Sequence, residues 1–217
     1  MEIKESDKKY TFKELYEIIK VLRSPEGCPW DRVQTHETLV KPMIEEAYEA
    51  VDAINSKSKD KLIEELGDVL LQVIFHSIIA EEDNEFEFDD ITDRCARKMI
   101  FRHSHVFGDT EASNAKEALL NWEERKLKEK EIKSLYEDLK DIPRNLPALM
   151  RAEKVAKKIR KAGYGKEGKD VEIDFSDSAS VGEMLYSICA IAESKGIDPF
   201  LSLTNTLEEK IEQHKDL

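Results

Sequence analysis

At 217 residues the chain is long enough for one substantial core, or for one domain with a smaller appendage. Only 8 Gly and 6 Pro stand against 37% charged residues, a Glu-, Lys- and Leu-rich composition that excludes a turn-dense β-architecture and favours an all-α fold. The formal net charge of −13 argues against duplex DNA, any other nucleic-acid polymer or an anionic membrane as the main partner, so a phosphate ligand would need a metal ion or a local basic patch.

The first residues, Met1 to Lys9, lack the apolar centre of a signal peptide. Thr11 then opens a helical pattern carrying Phe12, Leu15, Ile18, Ile19 and Leu22, which the loop Ser24-Pro25-Glu26-Gly27-Cys28-Pro29 ends. Trp30 and Asp31 follow in a rigid loop, and Trp30 is expected to pack. From Thr38 to Asn55 a second helix repeats Val40, Met43, Ile44, Ala47, Tyr48, Val51 and Ile54 at steps of three and four, which reads as its buried face.

A third helix covers residues 60–82. Its segment Val69–Ala80 is the most apolar in the chain and too short to span a bilayer, which takes about 20 residues. The fourth runs from Asp89 to His103. Lys116–Lys140 reads as one long charged helix, followed by the Pro-marked linker Asp141–Pro147 and a basic helix from Leu149 to Lys161. Short connections suit a helical bundle. The remainder is a weak internal repeat: Gly182-Glu183-Met184-Leu185-Tyr186 echoes Gly67-Asp68-Val69-Leu70-Leu71, and Gln213-His214 echoes Arg102-His103. The expected organisation is a first helical domain at 8–140 and a linker with a decayed second half at 141–217. Three cysteines, Cys28, Cys95 and Cys189, are odd in number and far apart, which fits a reducing, cytoplasmic setting.

The third helix carries the sharpest chemical signal. At about 100° per residue its apolar residues cover nearly the whole circumference, so burial on most sides is expected, yet Glu65, Asp68, Gln72 and His76 form one polar stripe. Two carboxylates facing into a bundle are costly unless paired or metal-bound. The second helix offers Glu45, Glu46 and Glu49, with Glu46/Glu49 and Glu65/Asp68 spaced alike, so two antiparallel helices could bring four acids to one point. Hard oxygen ligands without Cys or paired His suit Mg²⁺ or Mn²⁺. Taken alone, the acids of the second helix would be a solvated face; Glu65 and Asp68 weigh against that. The small residues Ala47, Ala50, Ala53 and Gly67 would let the helices approach. A di-iron site needs Glu-x-x-His pairs, and none of the 5 histidines has Glu three residues before it.

Arg94, Lys98 and Arg102 share a stripe on the fourth helix, either a phosphate clamp or an exposed basic face. Lys61 is equally open, and Trp122 could stack on a base or simply pack.

With these residues in view the chain resembles the MazG family of nucleoside triphosphate pyrophosphohydrolases. The pattern Glu-Glu-x-x-Glu then Glu-x-x-Asp stands here as Glu45-Glu46-Ala47-Tyr48-Glu49 and Glu65-Leu66-Gly67-Asp68. Flanking phrases match as well: Cys28-Pro29-Trp30-Asp31-Arg32-x-Gln34-Thr35, Leu70-Leu71-Gln72-Val73-x-Phe75-His76 and Ile142-Pro143-Arg144-x-Leu146-Pro147. The resemblance implies an all-α NTP pyrophosphatase bundle completed by homodimerisation. It implies Mg²⁺ on Glu46, Glu49, Glu65 and Asp68, triphosphate contacts from Lys61, Lys98 and Arg102, and Trp122 against the nucleotide; Glu45 is a candidate to orient the attacking water. The implied reaction converts a nucleoside triphosphate to a monophosphate and pyrophosphate. Ser104 departs from the family's usual Pro, and Ser180 and Glu183 stand where a second acidic pair would be, so that second site should be inactive. A non-catalytic nucleotide- or protein-binding module, and a dUTP or phosphoribosyl-ATP pyrophosphatase, are the competing readings.

Overall fold

The computed structural model describes residues 9–163 and 177–212, with side chains as far as Thr206 in the last stretch. Every regular element among them is a helix: α1 Phe12–Arg23, α2 Pro29–Arg32, α3 Val40–Asn55, α4 Lys59–Glu82, α5 Phe88–Arg102, α6 Ser104–Phe107, α7 Ala115–Glu129, α8 Leu135–Lys140, α9 Ala148–Lys161, α10 Ser178–Ser194 and α11 Pro199–Glu212. One compact unit ends at Phe101 and a second begins at Arg102. That division follows packing, whereas the 8–140 and 141–217 division follows the sequence repeat. The glycines Gly165 and Gly168 and the Gln213-His214 echo lie outside the described residues.

In the first unit, α4 is the axis. Its C-terminal half supplies Ile74, Phe75, Ile78 and Ile79 to a core closed by Ile19 of α1 and Leu39, with Leu15, Ile18, Leu22, Leu70 and Leu71 packed around it. Thr11 starts α1 with a reciprocal capping box to Glu14, and Ser58 caps α4 through the Lys61 amide. A polar seam fixes α1 along α4: the Tyr16 hydroxyl donates to Glu81 and lies 3.1 Å from Ser77 Oγ, and Lys20 pairs with Glu81 at 2.7 Å. Burial, reinforced by the Glu81 carboxylate, pushes the Tyr16 phenol up to about 12. Phe88, the first residue of α5, packs on Phe12 and Tyr16 with ring centroids 4.8 and 5.6 Å away.

The connection into α3 is held by Arg23, which donates to the carbonyls of Asp31 (2.7 Å) and Gln34 (3.1 Å) and to Glu82. Gly27 is required there: a Cβ would lie 2.2 Å from the Leu22 carbonyl oxygen. The expected rigid loop contains a single helical turn, α2, opened by Pro29. Trp30 on that turn is 61% exposed, so it does not pack within the chain as expected.

In the second unit α9 packs on α10, α8 and α11 around Ala156 and Cys189. Glu193 of α10 accepts two hydrogen bonds from Arg160, both at 2.7 Å, and Lys158 pairs with Asp138. The single helix expected over Lys116–Lys140 is two. Glu131 takes a left-handed conformation (φ 52°), the Ile132 amide turns back to the Leu127 carbonyl, and Ser134 caps α8 through the Glu137 amide. The charged composition on both sides hid this break.

Candidate metal centre

The α3–α4 pair reverses the expectation for α3. Its apolar stripe is exposed, with Val40, Ile44, Tyr48, Val51 and Ile54 between 39% and 57% accessible, while Ala50 and Ala53 are buried. At about 100° per residue the buried alanines share a side with Pro42, Glu46 and Glu49, so the acidic side of α3 is the one turned to α4. Among the four small residues expected at this seam only Ala50 and Ala53 serve as spacers. Ala47 is exposed, and a Cβ on Gly67 would meet nothing within 4 Å. The N-terminal half of α4 is likewise less covered than its sequence suggests: Ile63 is 72% and Leu66 53% exposed.

On this seam Glu46, Glu49 and Glu65 each bring a carboxylate oxygen within 4.8 Å of the other two, the sole such group of His, Cys, Asp or Glu side chains among the described residues. Asp68 adds its charge. The Glu46 carboxyl is held above its ordinary range by desolvation and then by the charges of Asp68, Glu49 and Glu45. The Glu65 carboxyl is raised by desolvation and then by Glu49, Glu64, Asp68 and Glu46. Among the described residues no Lys or Arg forms an ion pair with any of the four. An all-oxygen donor set drawn together with no counter-charge fits a hard divalent cation. Glu45 lies on the adjoining face, 53% exposed and 3.2 Å from Lys41 Nζ.

The polar stripe continues down α4. His76 faces His36, just before α3, with their Nδ1 atoms 2.7 Å apart and the rings parallel within 6°. That pairing had no signal in helical spacing, because His36 lies outside any helix. Gln72, between Asp68 and His76, is 6% exposed, and its buried Oε1 has no hydrogen-bond partner.

The candidate phosphate contacts fall in both units. Lys61 is in the first turn of α4, exposed and one turn before Glu65, and Lys98 is half-buried on α5. Arg94 is exposed, whereas Arg102 opens the second unit with a side chain only 7% exposed, donating from Nε to Glu129 of α7 at 2.6 Å. Its guanidinium also lies 5.0 Å from the Trp122 ring centre, and Lys126 Nζ stands 5.7 Å from the same ring. The stripe Arg94–Lys98–Arg102 therefore does not act as one exposed face. Glu129, which sequence reasoning missed, takes up its last member.

Residues 34–107 match the model of the MazG nucleotide pyrophosphohydrolase domain. The chain is 36% identical over 221 residues to the nucleoside triphosphate pyrophosphohydrolase/pyrophosphatase MazG of Thermotoga maritima, a match covering 95% of this chain and 85% of that relative. It is 45% identical over 151 residues to the nucleoside triphosphate pyrophosphohydrolase of Escherichia coli K12, covering 69% of this chain but 57% of the relative's length. An uncharacterized 26.1 kDa protein of Streptomyces cacaoi is 38% identical over 188 residues, with 85% and 74% covered. No helix among the described residues is long and apolar enough to cross a membrane. The all-helical fold, the acidic pairs facing each other across α3 and α4, and these relatives agree that the chain belongs to the MazG family.

Proposed function

We propose that this chain is a Mg²⁺-dependent nucleoside triphosphate pyrophosphohydrolase that adds water across the bond between the α- and β-phosphates, releasing a nucleoside monophosphate and pyrophosphate. The observation that carries the reading is the turning of Glu46, Glu49 and Glu65 into the α3–α4 seam without a counter-charge, with Asp68 beside them.

These four residues would hold Mg²⁺ or, in its place, Mn²⁺, which when bound neutralises phosphate charge and lowers the pKa of a water. Glu46 and Glu65, raised first by desolvation and then by their acidic neighbours, are the ligands at which protons would compete most with a cation. Glu45, exposed on the adjoining face, is the residue assigned to orient the attacking water. Lys61 and Lys98 are the cations of the first unit assigned to the triphosphate. The assignments of Arg102 to the triphosphate and Trp122 to the base rest on the resemblance; the guanidinium is engaged by Glu129 and would have to exchange that partner. The substrates are free (d)NTPs, and the role is nucleotide-pool housekeeping in the cytoplasm.

The domain covering 8–140 carries this chemistry, and 141–217 is a degenerate second half. The exposed stripe Val40–Ile44–Tyr48–Val51 of α3 is the surface a second copy would cover, giving a homodimer whose bundle is completed between chains. The test is product analysis with NTPs and dNTPs plus Mg²⁺ or Mn²⁺, beside Glu49→Ala and Asp68→Ala. Monophosphate and pyrophosphate, lost in both variants, support the proposal; a folded protein turning over none of the panel sinks it.

A further inference from the structure

The polar stripe of α4 holds four side chains, and three of them have a use. Glu65 and Asp68 belong to the carboxylate cluster, and His76 is paired with His36 at 2.7 Å. Gln72 alone is left over: 6% exposed, with its Oε1 buried and unpaired. The pairing of α3 with α4 explains why the chain offers it nothing. Glu46 and Glu49 meet Glu65, and His36 meets His76, so the antiparallel register sets the start of α3 level with Gln72, where the residues on the α4 side are the core residue Leu39 and Pro42, neither with a polar side chain. A proline has neither an N–H nor a polar side chain.

We infer that Gln72 is a nucleoside-recognising residue: its carboxamide accepts a hydrogen bond from an O–H or N–H of the nucleoside whose triphosphate a cation on the carboxylate cluster would hold. The inference rests on the hydrolase reading only for where the triphosphate lies. Gln72 is one helical turn past Asp68, about 6 Å at 1.5 Å per residue, which is the reach from a held phosphate to the adjoining sugar and base. A buried acceptor left unpaired in the free protein gains more from an arriving donor than one that must first give up water. A nucleotide lacking that donor leaves the acceptor unpaired and is bound less well, which is how such a site discriminates.

The experiment is calorimetric binding, in Mg²⁺, of hydrolysis-resistant α,β-imido nucleotides in ribo, deoxy and dideoxy forms with each base, beside inorganic tripolyphosphate, to the full chain and to Gln72→Met. The wild type should rank the nucleotides. The variant should lose roughly tenfold for the preferred one, the worth of a single hydrogen bond, and compress the ranking while tripolyphosphate binds unchanged. Whether the ranking follows the sugar or the base series identifies the donor. In the wild type the Gln72 side-chain amide resonances should shift with nucleotide and not with tripolyphosphate, a readout independent of the variant's folding. Unmoved resonances, or a more heat-stable variant with an unchanged ranking, would overturn the inference and leave Gln72 as a water-satisfied core residue. A protein that binds nucleotide through Gln72 yet hydrolyses none would refute the hydrolase reading and leave this one standing.

Discussion

Arg102 is the residue at which the family resemblance and the structure assign different work, and a double-mutant cycle with Glu129 separates them. The Arg102 side chain is 7% exposed and Glu129 35%, with Nε and Oε2 2.6 Å apart and the guanidinium over Trp122. Replacing Glu129 with Gln keeps an acceptor but leaves a buried cation without its counter-charge, a loss of about 1–3 kcal/mol for a hydrogen bond between charged groups. Arg102→Met loses the same bond and about 0.5–1 kcal/mol of attraction to the Trp122 ring, while Glu129 is exposed enough to regain water. The double variant should therefore be more stable than the sum of the singles implies, with a coupling of about 1–2 kcal/mol. Urea titration followed by helical circular dichroism reads the energies, and each kcal/mol should lower Tm by roughly 2–4 °C in a chain of this size. Additive single-variant effects, within about 0.5 kcal/mol, would refute the structural pairing. KM supplies the functional arm. If Arg102 contacts triphosphate, Arg102→Met raises KM in the protein that remains folded, whereas Glu129→Gln, which frees the guanidinium, does not.

Three further outcomes follow from other parts of the molecule. Gly27→Ala should lower stability by about 1–3 kcal/mol, because the new Cβ meets the carbonyls of Val21 and Leu22 and the backbone has to shift; an unchanged denaturation midpoint would contradict the close approach. The raised carboxyls of Glu46 and Glu65 mean that the folded chain keeps protons the unfolded chain has released, so without metal they cost stability as pH rises through their folded pKa values. Glu49→Gln removes a negative neighbour of both; in EDTA it should melt higher than wild type at pH 7, with the gap closing toward pH 4, and it should lose the stabilisation that Mg²⁺ gives the wild type. A variant that melts lower in EDTA at pH 7 would count against the repulsion. The proposed homodimer predicts a dimeric wild type by sedimentation equilibrium and a monomeric Ile44→Lys, on the exposed stripe of α3; equal masses would remove that stripe from the interface.

The parts of the fold written in apolar periodicity were legible, and those set by a second partner were not. The helix of α4 and its polar stripe followed from spacing, because one residue every 100° fixes which side chains share a face. Which face of α3 turns inward did not follow. Its strongest apolar stripe reads as core, but the structure buries Ala50 and Ala53 beside Glu46 and Glu49 and leaves Val40, Ile44 and Val51 outside. Two small residues close to α4 outweigh a larger stripe in deciding the intrachain contact. The break between α7 and α8 escaped for another reason: it depends on a left-handed Glu131 and a Ser134 cap, and Glu and Ser also occur in helices. The pairings His36–His76 and Arg102–Glu129 join distant points in sequence, so helical spacing could not reveal them.

The proposed dimer surface and the proposed cation site share α3. The face that carries Glu46 and Glu49 lies against α4, and the opposite face, together with Ile63 and Leu66 of α4, is apolar and bare. Covering that apolar surface, as a second copy would, removes water from around the same two helices and lowers the local dielectric. Repulsion among the carboxylates then grows, and so does the attraction of the set for a divalent ion. Binding energies linked in this way are reciprocal: a cation that favours the assembled state must be held more tightly in it, by the same factor. EDTA should therefore shift the monomer–dimer equilibrium toward monomer, and diluting the protein should weaken Mn²⁺ binding. A dimerisation constant indifferent to Mg²⁺ would show that the bare face and the carboxylate seam act independently.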